Sequence, residues 1–400
     1  MANRPRSLVL LLFAAGLFAA ARPARAQFPW AGARAVGMAG AQVAAVDDGT
    51  AAWSNPAALG RLEGWGVQLF ASGLASNRND MVGAVDSLAN LPFQDIASGQ
   101  RLDLLPELVS DLDSLVRSDT SVIFSGVAAL AVHYRGVSLS VGSLPYAGIY
   151  PVIDLTHVVP NGGPVDGLSF NDTGLYLLGL SAREVRLAYG RGFLGNTVLV
   201  GGAARLVLGR TYFARCGVFD DCQNKDLGDL VNEAFRENAS SSTEFAFDLG
   251  AQVDLGIVRI GVVGVSLNEP DFAVAVGPGA PATVPLPRQI RGGVAVNPLP
   301  FLTLAADGDF LKSDTLAPGT ESQQLSLGAE FRIPLFAFRV GGFRDFAATQ
   351  PHWGYSVGVG LHLPALAIDA SVLLSPKGGL DPTDLDRQDL GAGASVRVHF

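Results

Sequence analysis

Few places in this 400-residue sequence pair residue types and spacings that could do chemistry. Cys216 and Cys222 stand six apart in CGVFDDCQN. In an exported chain such a pair most often closes a small loop by a disulfide, whereas a metal site would need further ligands and the nearest histidine in sequence is His157. In DPTDLDRQD, Asp381, Asp384, Asp386 and Asp389 offer oxygen ligands of the kind a divalent cation takes, but without the glycine and spacing of a calcium loop, so a solvated acidic loop is the competing reading. His133, His157, His352, His362 and His399 are dispersed. The sequence has no Gly-x-Ser-x-Gly elbow, no His-Glu-x-x-His pair and no phosphate-binding Gly-Lys-Ser loop. The expectation is a chain that is not an enzyme, with no cofactor and no metal.

A different kind of signal lies in GMAGAQVAAVDDGTAAWSNPAALG, residues 37 to 60, which joins small residues, the acidic pair Asp47 and Asp48, and an Asn-Pro-Ala. Gly and Ala permit close backbone approach to a wall. Pro56 holds Asn55 extended and so ends any helix before it, leaving the Asn55 amide to satisfy backbone groups freed by the turn. Asp47 and Asp48 could pair with arginines such as Arg332 or Arg339. A structural anchor and a gating or ligand-contacting role both fit this string.

Several features set the elements that must position it. Arg4 and Arg6 precede the apolar run Leu8 to Ala21, and Ala24-Arg25-Ala26 supplies small residues for cleavage, so residues 1–26 read as a secretory signal peptide cut near Ala26. Without the four leader arginines, 24 of 28 basic residues face 37 acidic ones, which argues against a nucleic-acid partner. Mean hydropathy is high at +0.31 and glycine numbers 48. Beyond the leader, however, no apolar run is long enough for a membrane helix, a combination that a transmembrane β-barrel reconciles.

Periodicity points the same way. In WGYSVGVGLHL, Trp353, Tyr355, Val357, Val359, Leu361 and Leu363 alternate with Gly354, Ser356, Gly358, Gly360 and His362. LSLGAEFRI repeats the rule and keeps Glu330 and Arg332 on the polar face. Aromatics such as Trp65, Phe336, Phe338, Trp353, Tyr355 and Phe400 gather near strand ends, where membrane interfaces favour them. The pattern predicts an all-β fold: a fourteen-stranded antiparallel transmembrane barrel. Its strands are expected at 65–72, 122–133, 137–145, 174–191, 197–213, 241–254, 257–268, 287–297, 301–311, 322–333, 336–346, 353–363, 366–376 and 388–400. Short and long connections alternate, as in bacterial barrels, with both termini on the periplasmic side. A turn at Ser181-Ala182-Arg183 would split 174–191 and make the count odd; the even count is preferred.

Two inserts carry helical stripes instead. One, at about 95–118, presents Leu105, Leu108, Leu112 and Leu115; the other, at about 226–238, presents Leu227, Leu230, Val231 and Phe235. Both fall in connections assigned to the extracellular face, where they either pack on neighbouring loops or bind an apolar ligand. The chain ends GASVRVHF, with Val396, Val398 and Phe400 on one face. That ending resembles the C-terminal signal by which the barrel-assembly machinery recognises outer-membrane proteins.

The string GARAVGMAGAQVAAVDDGTAAWSNPAALG, finally, resembles the N-terminal motif of the FadL-type outer-membrane transport proteins, including their PorV-like and TraF-like relatives. The matching residues are Gly37, Gly40, Ala41, Asp47, Asp48, Asn55, Pro56 and Ala57. The resemblance implies a Gram-negative outer-membrane location in contact with outer-membrane lipid. It also implies that residues 27–62 form a plug inside the lumen of a barrel spanning 63–400. The implied function is passive passage of hydrophobic small molecules, fatty-acid-like or hydrocarbon. The helical insert after the first strand is closer to the TraF-like branch, which opens the alternative of a non-transporting docking or assembly partner in a secretion or envelope system.

Overall fold

In the computed structural model, residues 24–25, 30–116, 119–158, 167–217, 239–275, 279–376 and 387–400 are described. Fourteen strands run antiparallel to their neighbours: β1 (Trp65–Arg78), β2 (Ser121–Tyr134), β3 (Val137–Val152), β4 (Gly174–Phe193), β5 (Val198–Gly217), β6 (Ala239–Asp254), β7 (Val258–Val265), β8 (Gln289–Leu299), β9 (Leu302–Asp309), β10 (Gln324–Arg332), β11 (Phe336–Asp345), β12 (Trp353–His362), β13 (Leu366–Pro376) and β14 (Arg387–His399). The ring closes where β14 pairs with β1, from Asp389 opposite Ser76 to His399 opposite Gly66, so every barrel strand has two partners and no edge is left open. No helix among the described residues is long and apolar enough to cross a membrane.

The period of two becomes two faces. On β12, Tyr355, Val357, Val359 and Leu361 are exposed, while Gly354, Ser356, Gly358 and Gly360 are buried. Trp65, Tyr134, Phe193, Phe301, Phe331, Phe336 and Phe400 stand exposed at the strand ends beside the short turns; Phe124, Phe245, Phe310, Phe346 and Tyr355 lie toward the other end. The apolar face therefore points out to lipid and the polar face into the lumen.

Residues 174–191, where the alternation is least clear, form one continuous strand. Ser181 pairs with Pro145 on one side and Arg210 on the other, and Ala182 with Leu144 and Gly209, so the register runs through Ser181-Ala182-Arg183 unbroken. The physical reason for the ambiguity is double burial. From Gly174 to Leu180 every residue is buried, and strict alternation begins only afterwards. A strand covered on both faces loses its period-two signature. The inward residues Tyr176, Leu178 and Leu180 join the apolar filling of the lumen. Leu175 and Leu177, on the opposite face, pack under the insert that follows β1.

That insert contains three helices, α3 (Met81–Ala89), α4 (Phe93–Ala97) and α5 (Leu105–Val116), preceded in the chain by α1 (Gly32–Gly37) and α2 (Ala51–Ser54) of the N-terminal segment. Its helical region thus starts earlier than the expected 95. Leu108, Leu112 and Leu115 of α5 are buried together with Met81, Leu88, Phe93 and Ile96, and with Leu175, Leu177, Tyr212 and Ala214 of β4 and β5. The stripe is consumed by packing on neighbouring loops and strand ends. The second expected insert, 226–238, lies outside the described residues, as do Cys222 and Asp381, Asp384 and Asp386. Cys216 is buried near the end of β5, and Asp389 opens the inward face of β14.

Candidate functional site: the N-terminal segment in the lumen

The segment from Trp30 to Leu62 lies inside the ring. Ala33, Met38, Ala41, Ala44, Ala45, Ala51, Ala57 and Leu59 are wholly buried there. The chain goes where wall and segment are both stripped of side chains. A Cβ on Gly37 would meet Arg339 Cβ at 3.2 Å, and one on Gly341 would meet the Met38 carbonyl carbon at 2.6 Å. Gly40 has φ +93°, a conformation open to glycine at little cost, and the Trp30 ring covers it so closely that a Cβ would fall 2.5 Å from Trp30 Nε1. The α1 backbone is tied to inward hydroxyls: Ser395 accepts from Ala33 N at 2.9 Å, and Ser356 donates to the Gly37 carbonyl at 3.0 Å.

The Asn-Pro-Ala occupies the β4–β8 side of the lumen. Asn55 is extended (φ −159°, ψ 104°), α2 stops before it, and a 3₁₀ turn over Pro56–Arg61 follows. Its Oδ1 accepts from Ala57 N at 3.1 Å and its Nδ2 donates to the Val43 carbonyl at 2.9 Å, so one buried amide both caps the turn and clasps the segment to itself. A Cβ on Gly250 would sit 2.1 Å from Asn55 Oδ1, and one on Gly201 2.5 Å from the Pro56 carbonyl; β5 and β6 admit this turn only as glycine. Beside it, Asp307 accepts from Gln42 N at 2.6 Å and Val43 N at 2.7 Å.

The two acids part ways. Asp47 pairs with Arg34 (3.0 Å) and Arg332 (3.3 Å). Asp48 turns back to accept from Thr50 N at 2.9 Å and reaches Arg397 at 4.0 Å. Arg339, offered by the sequence as a partner for these acids, instead grips Glu330 (2.6 Å), its register partner on β10, and Asp369 (2.7 Å) on β13, reached across Gly358 and Gly360 of β12. Glu330 is the hub: Arg34 approaches it with two nitrogens at 2.9 and 3.0 Å, Arg332 at 2.7 Å and Arg339 at 2.6 Å. Burial pushes the Asp47 carboxyl up, but Arg34 and then Arg332 outweigh it and hold the group well below the usual carboxylate range. Burial likewise opposes charge on Arg34, yet Asp47 and Glu330 keep it protonated with a raised pKa.

A second charged knot lies on the wall opposite. Arg186 and Arg205 bridge Glu184 and Asp248 in a closed square of four contacts between 2.8 and 3.1 Å. Arg186 also donates to the Ala52 carbonyl at 2.6 Å and lies 4.2 Å from the centre of the Trp53 ring. Trp53 in turn donates to Ser140 Oγ at 3.1 Å. Above it the lumen turns apolar: Tyr146, Tyr150, Tyr176, Phe213, Phe272 and Leu286 form one cluster continuous with Trp53. Phe272 belongs to a short ribbon, Asp271–Ala273 against Thr283–Pro285, folded so far inward that a Cβ on Gly209 would lie 2.0 Å from its ring.

Sequence reasoning singled out Gly37, Gly40, Asp47, Asp48, Asn55, Pro56 and Ala57, and the structure gathers all seven into the lumen. It missed Arg34, Glu184, Arg186, Arg205, Asp248, Trp53 and Phe272. The signal for the strand charges was present, since each stands on the polar face of an alternating strand. Nothing in the sequence says which inward positions meet across the lumen. Val396 and Val398 stay with the wall, paired to Leu69 and Val67 of β1, and the Phe400 ring stacks on Trp65 at 4.4 Å.

Comparison with known proteins follows this geometry. Residues 52–309 match the family model described as F plasmid transfer operon, TraF, protein. The toluene transporter TbuX of Ralstonia pickettii is similar in structure at 16% identity and TM-score 0.51, over 92% of this chain and 98% of that one. The toluene transporter TodX of P. putida aligns at 12% identity and TM-score 0.51, over 94% and 99%. The CymD monoaromatic hydrocarbon channel aligns at 15% identity and TM-score 0.51, over 92% and 97%. No curated protein shows significant similarity in sequence. With the family model spanning more than half of the residues, the chain belongs to the TraF family, and it folds as a closed fourteen-stranded barrel like those of TbuX, TodX and CymD.

Proposed function

We propose that the protein admits small hydrophobic molecules through the outer membrane, with residues 27–62 as a plug that must shift for passage. The observation that carries this reading is the continuous apolar column from Tyr150, Tyr176, Phe213 and Phe272 down to Trp53, where it meets the N-terminal segment. A column of aromatic faces offers an apolar solute a favourable transfer from water at every level, which a polar pore would not. The solute class named for TbuX, TodX and CymD, monoaromatic hydrocarbons, and fatty-acid-like molecules both suit such a lining. Cleavage near Ala26 and recognition of Val396, Val398 and Phe400 by the barrel-assembly machinery belong to the same reading, as does bonding of Cys216 to Cys222.

Uptake of a labelled fatty acid and of toluene into vesicles carrying the full barrel, against a variant lacking residues 27–60, tests the proposal. Faster entry in the deletion supports a gating plug. Equal entry removes the gate, and no entry above protein-free vesicles in either removes transport.

A second reading is favoured by the insert after β1. Its three helices build an apolar core together with the outer faces of β4 and β5, more structure than a pore needs. A docking or assembly role predicts a stoichiometric partner retained through purification from detergent extracts, and a clean monomer counts against it.

A further inference from the structure

The end of the barrel that holds the short turns and the C-terminus gathers cations around Asp47. Arg332 pairs with it at 3.3 Å and Arg61, from the 3₁₀ turn, reaches Asp254 at 3.4 Å and the Val46 carbonyl at 2.9 Å. Arg397 approaches Asp48 at 4.0 Å. Arg259, in register with Asp254 across the β6–β7 pair, makes no salt bridge among the described residues. The Nε donors of Arg332 and Arg397 are buried without a hydrogen-bond partner. Arg61 and Arg259 thus flank the same Asp254, one by ion pair and one by register, and burial and then the like charge of Arg259 push the pKa of Arg61 down. The place is reachable: the Arg332 and Asp47 side chains are 37% and 34% exposed, while Arg34 behind them is 6% exposed. Guanidinium groups with spare donors around one half-open carboxylate are built to hold an anion, because their planar forks match carboxylate and phosphate oxygens.

We infer that Arg61, Arg259, Arg332 and Arg397 form a binding site for the anionic headgroup of an amphiphile, a carboxylate or a phosphate monoester, and that Asp47 is its built-in, displaceable occupant. A ligand anion competes with Asp47 for Arg332 and Arg259, and in winning loosens the plug at its most exposed ion pair. The inference deepens the transport reading by placing a charged end on the solute, and it rests on that reading only for the direction of passage.

The test is binding of dodecanoate, dodecyl phosphate and neutral dodecanol to the full-length barrel in a zwitterionic detergent, alongside uptake of the same three. Both anions, or one of them, should bind at least tenfold more tightly than dodecanol, and the tighter of the two names the headgroup. Arg259→Gln, which removes no ion pair of the described residues, should weaken anion binding about tenfold, and Arg332→Lys should retain more of it than Arg332→Gln. Asp47→Asn should tighten it, because the internal competitor is gone. Equal affinity for the three probes, or unchanged anion affinity in folded Arg259→Gln, overturns the site. Asp47→Asn with unchanged or weaker anion affinity overturns the displacement. Selective anion binding without uptake leaves the site standing and fells transport; dodecanol uptake with unselective binding does the reverse.

Discussion

Toward the short turns the lumen is filled by residues 30–62, held by Arg34, Asp47, Glu330, Arg332 and Arg339. Toward the long connections it is filled by Phe272, Leu286, Leu316 and the inward aromatics of β3 to β5, with the three-helix insert packed against the outer faces of the same strands. The first closure is ionic and directional. Arg34, Glu330 and Arg339 there have been stripped of water, so their stability depends on every partner being present, and removing one leaves the rest uncompensated. The second is apolar and tolerates volume-conserving swaps at under about 1.5 kcal/mol each, because it specifies volume but no hydrogen-bond geometry.

The comparison can be broken most sharply at the hub. Glu330→Ala leaves three guanidinium groups without their shared carboxylate, and the expected loss is about 3–5 kcal/mol, read as a lowered urea midpoint of the refolded barrel. A loss under about 1 kcal/mol would mean that the ionic closure is ornamental. On the apolar side, Leu112→Ala should cost about 3 kcal/mol as a cavity under the insert, while leaving the urea midpoint of the barrel strands, read by their β-sheet circular dichroism, unchanged. If barrel and insert instead melt together, the two closures are one cooperative unit.

Asn55→Ala sits between the two and should cost about 1–3 kcal/mol, because the Ala57 amide loses its cap and a wholly buried amide is deleted. Proteolysis at residues 30–62 should rise with it.

The smallest effect concerns pH. His352, in the connection between β11 and β12, meets Asp389 at 2.6 Å; burial opposes its charge, but the Asp389 hydrogen bond outweighs that and raises its pKa. The sign follows: a raised value means stability that is fully present below the ordinary histidine pKa and fades as pH climbs through the raised one. His352→Gln should therefore lower the midpoint by a fraction of a kcal/mol at pH 5 and leave it unchanged at pH 9. Asp47 runs oppositely. Its lowered value gives stability present above the ordinary aspartate range, near pH 4, that drains as pH falls further. Acid should thus loosen the short-turn end first; acid loss of the long-connection end before it would contradict the assignment.

Much of this was legible in the residues. Strict alternation with apolar aromatics on one face and Gly, Ser, Glu330 and Arg332 on the other set the strands and their inward side, since a side-chain period of two is a local property of an extended backbone. The alternation of short and long connections set the count, but not the end at which the chain begins: Ala24 and Arg25 pair with Ser313 and Asp314, in the long connection after β9, because the segment that leads into the lumen runs along its length. Where the signal failed, at 174–180, burial on both faces had erased it. Pro56 alone dictated the extended Asn55 and the end of α2, because proline's steric demand acts on its immediate neighbour.

Only the tertiary structure decided which charges meet. Asp47 and Arg332 are 285 residues apart, and Arg339 could as well have taken Asp47 as Glu330. That choice depends on how far each strand is staggered around the ring, a sum over fourteen registers that no local pattern encodes. The inward fold of Phe272 against Gly209 has the same origin, for a loop's sequence states what it can bury but not which wall will be there to receive it.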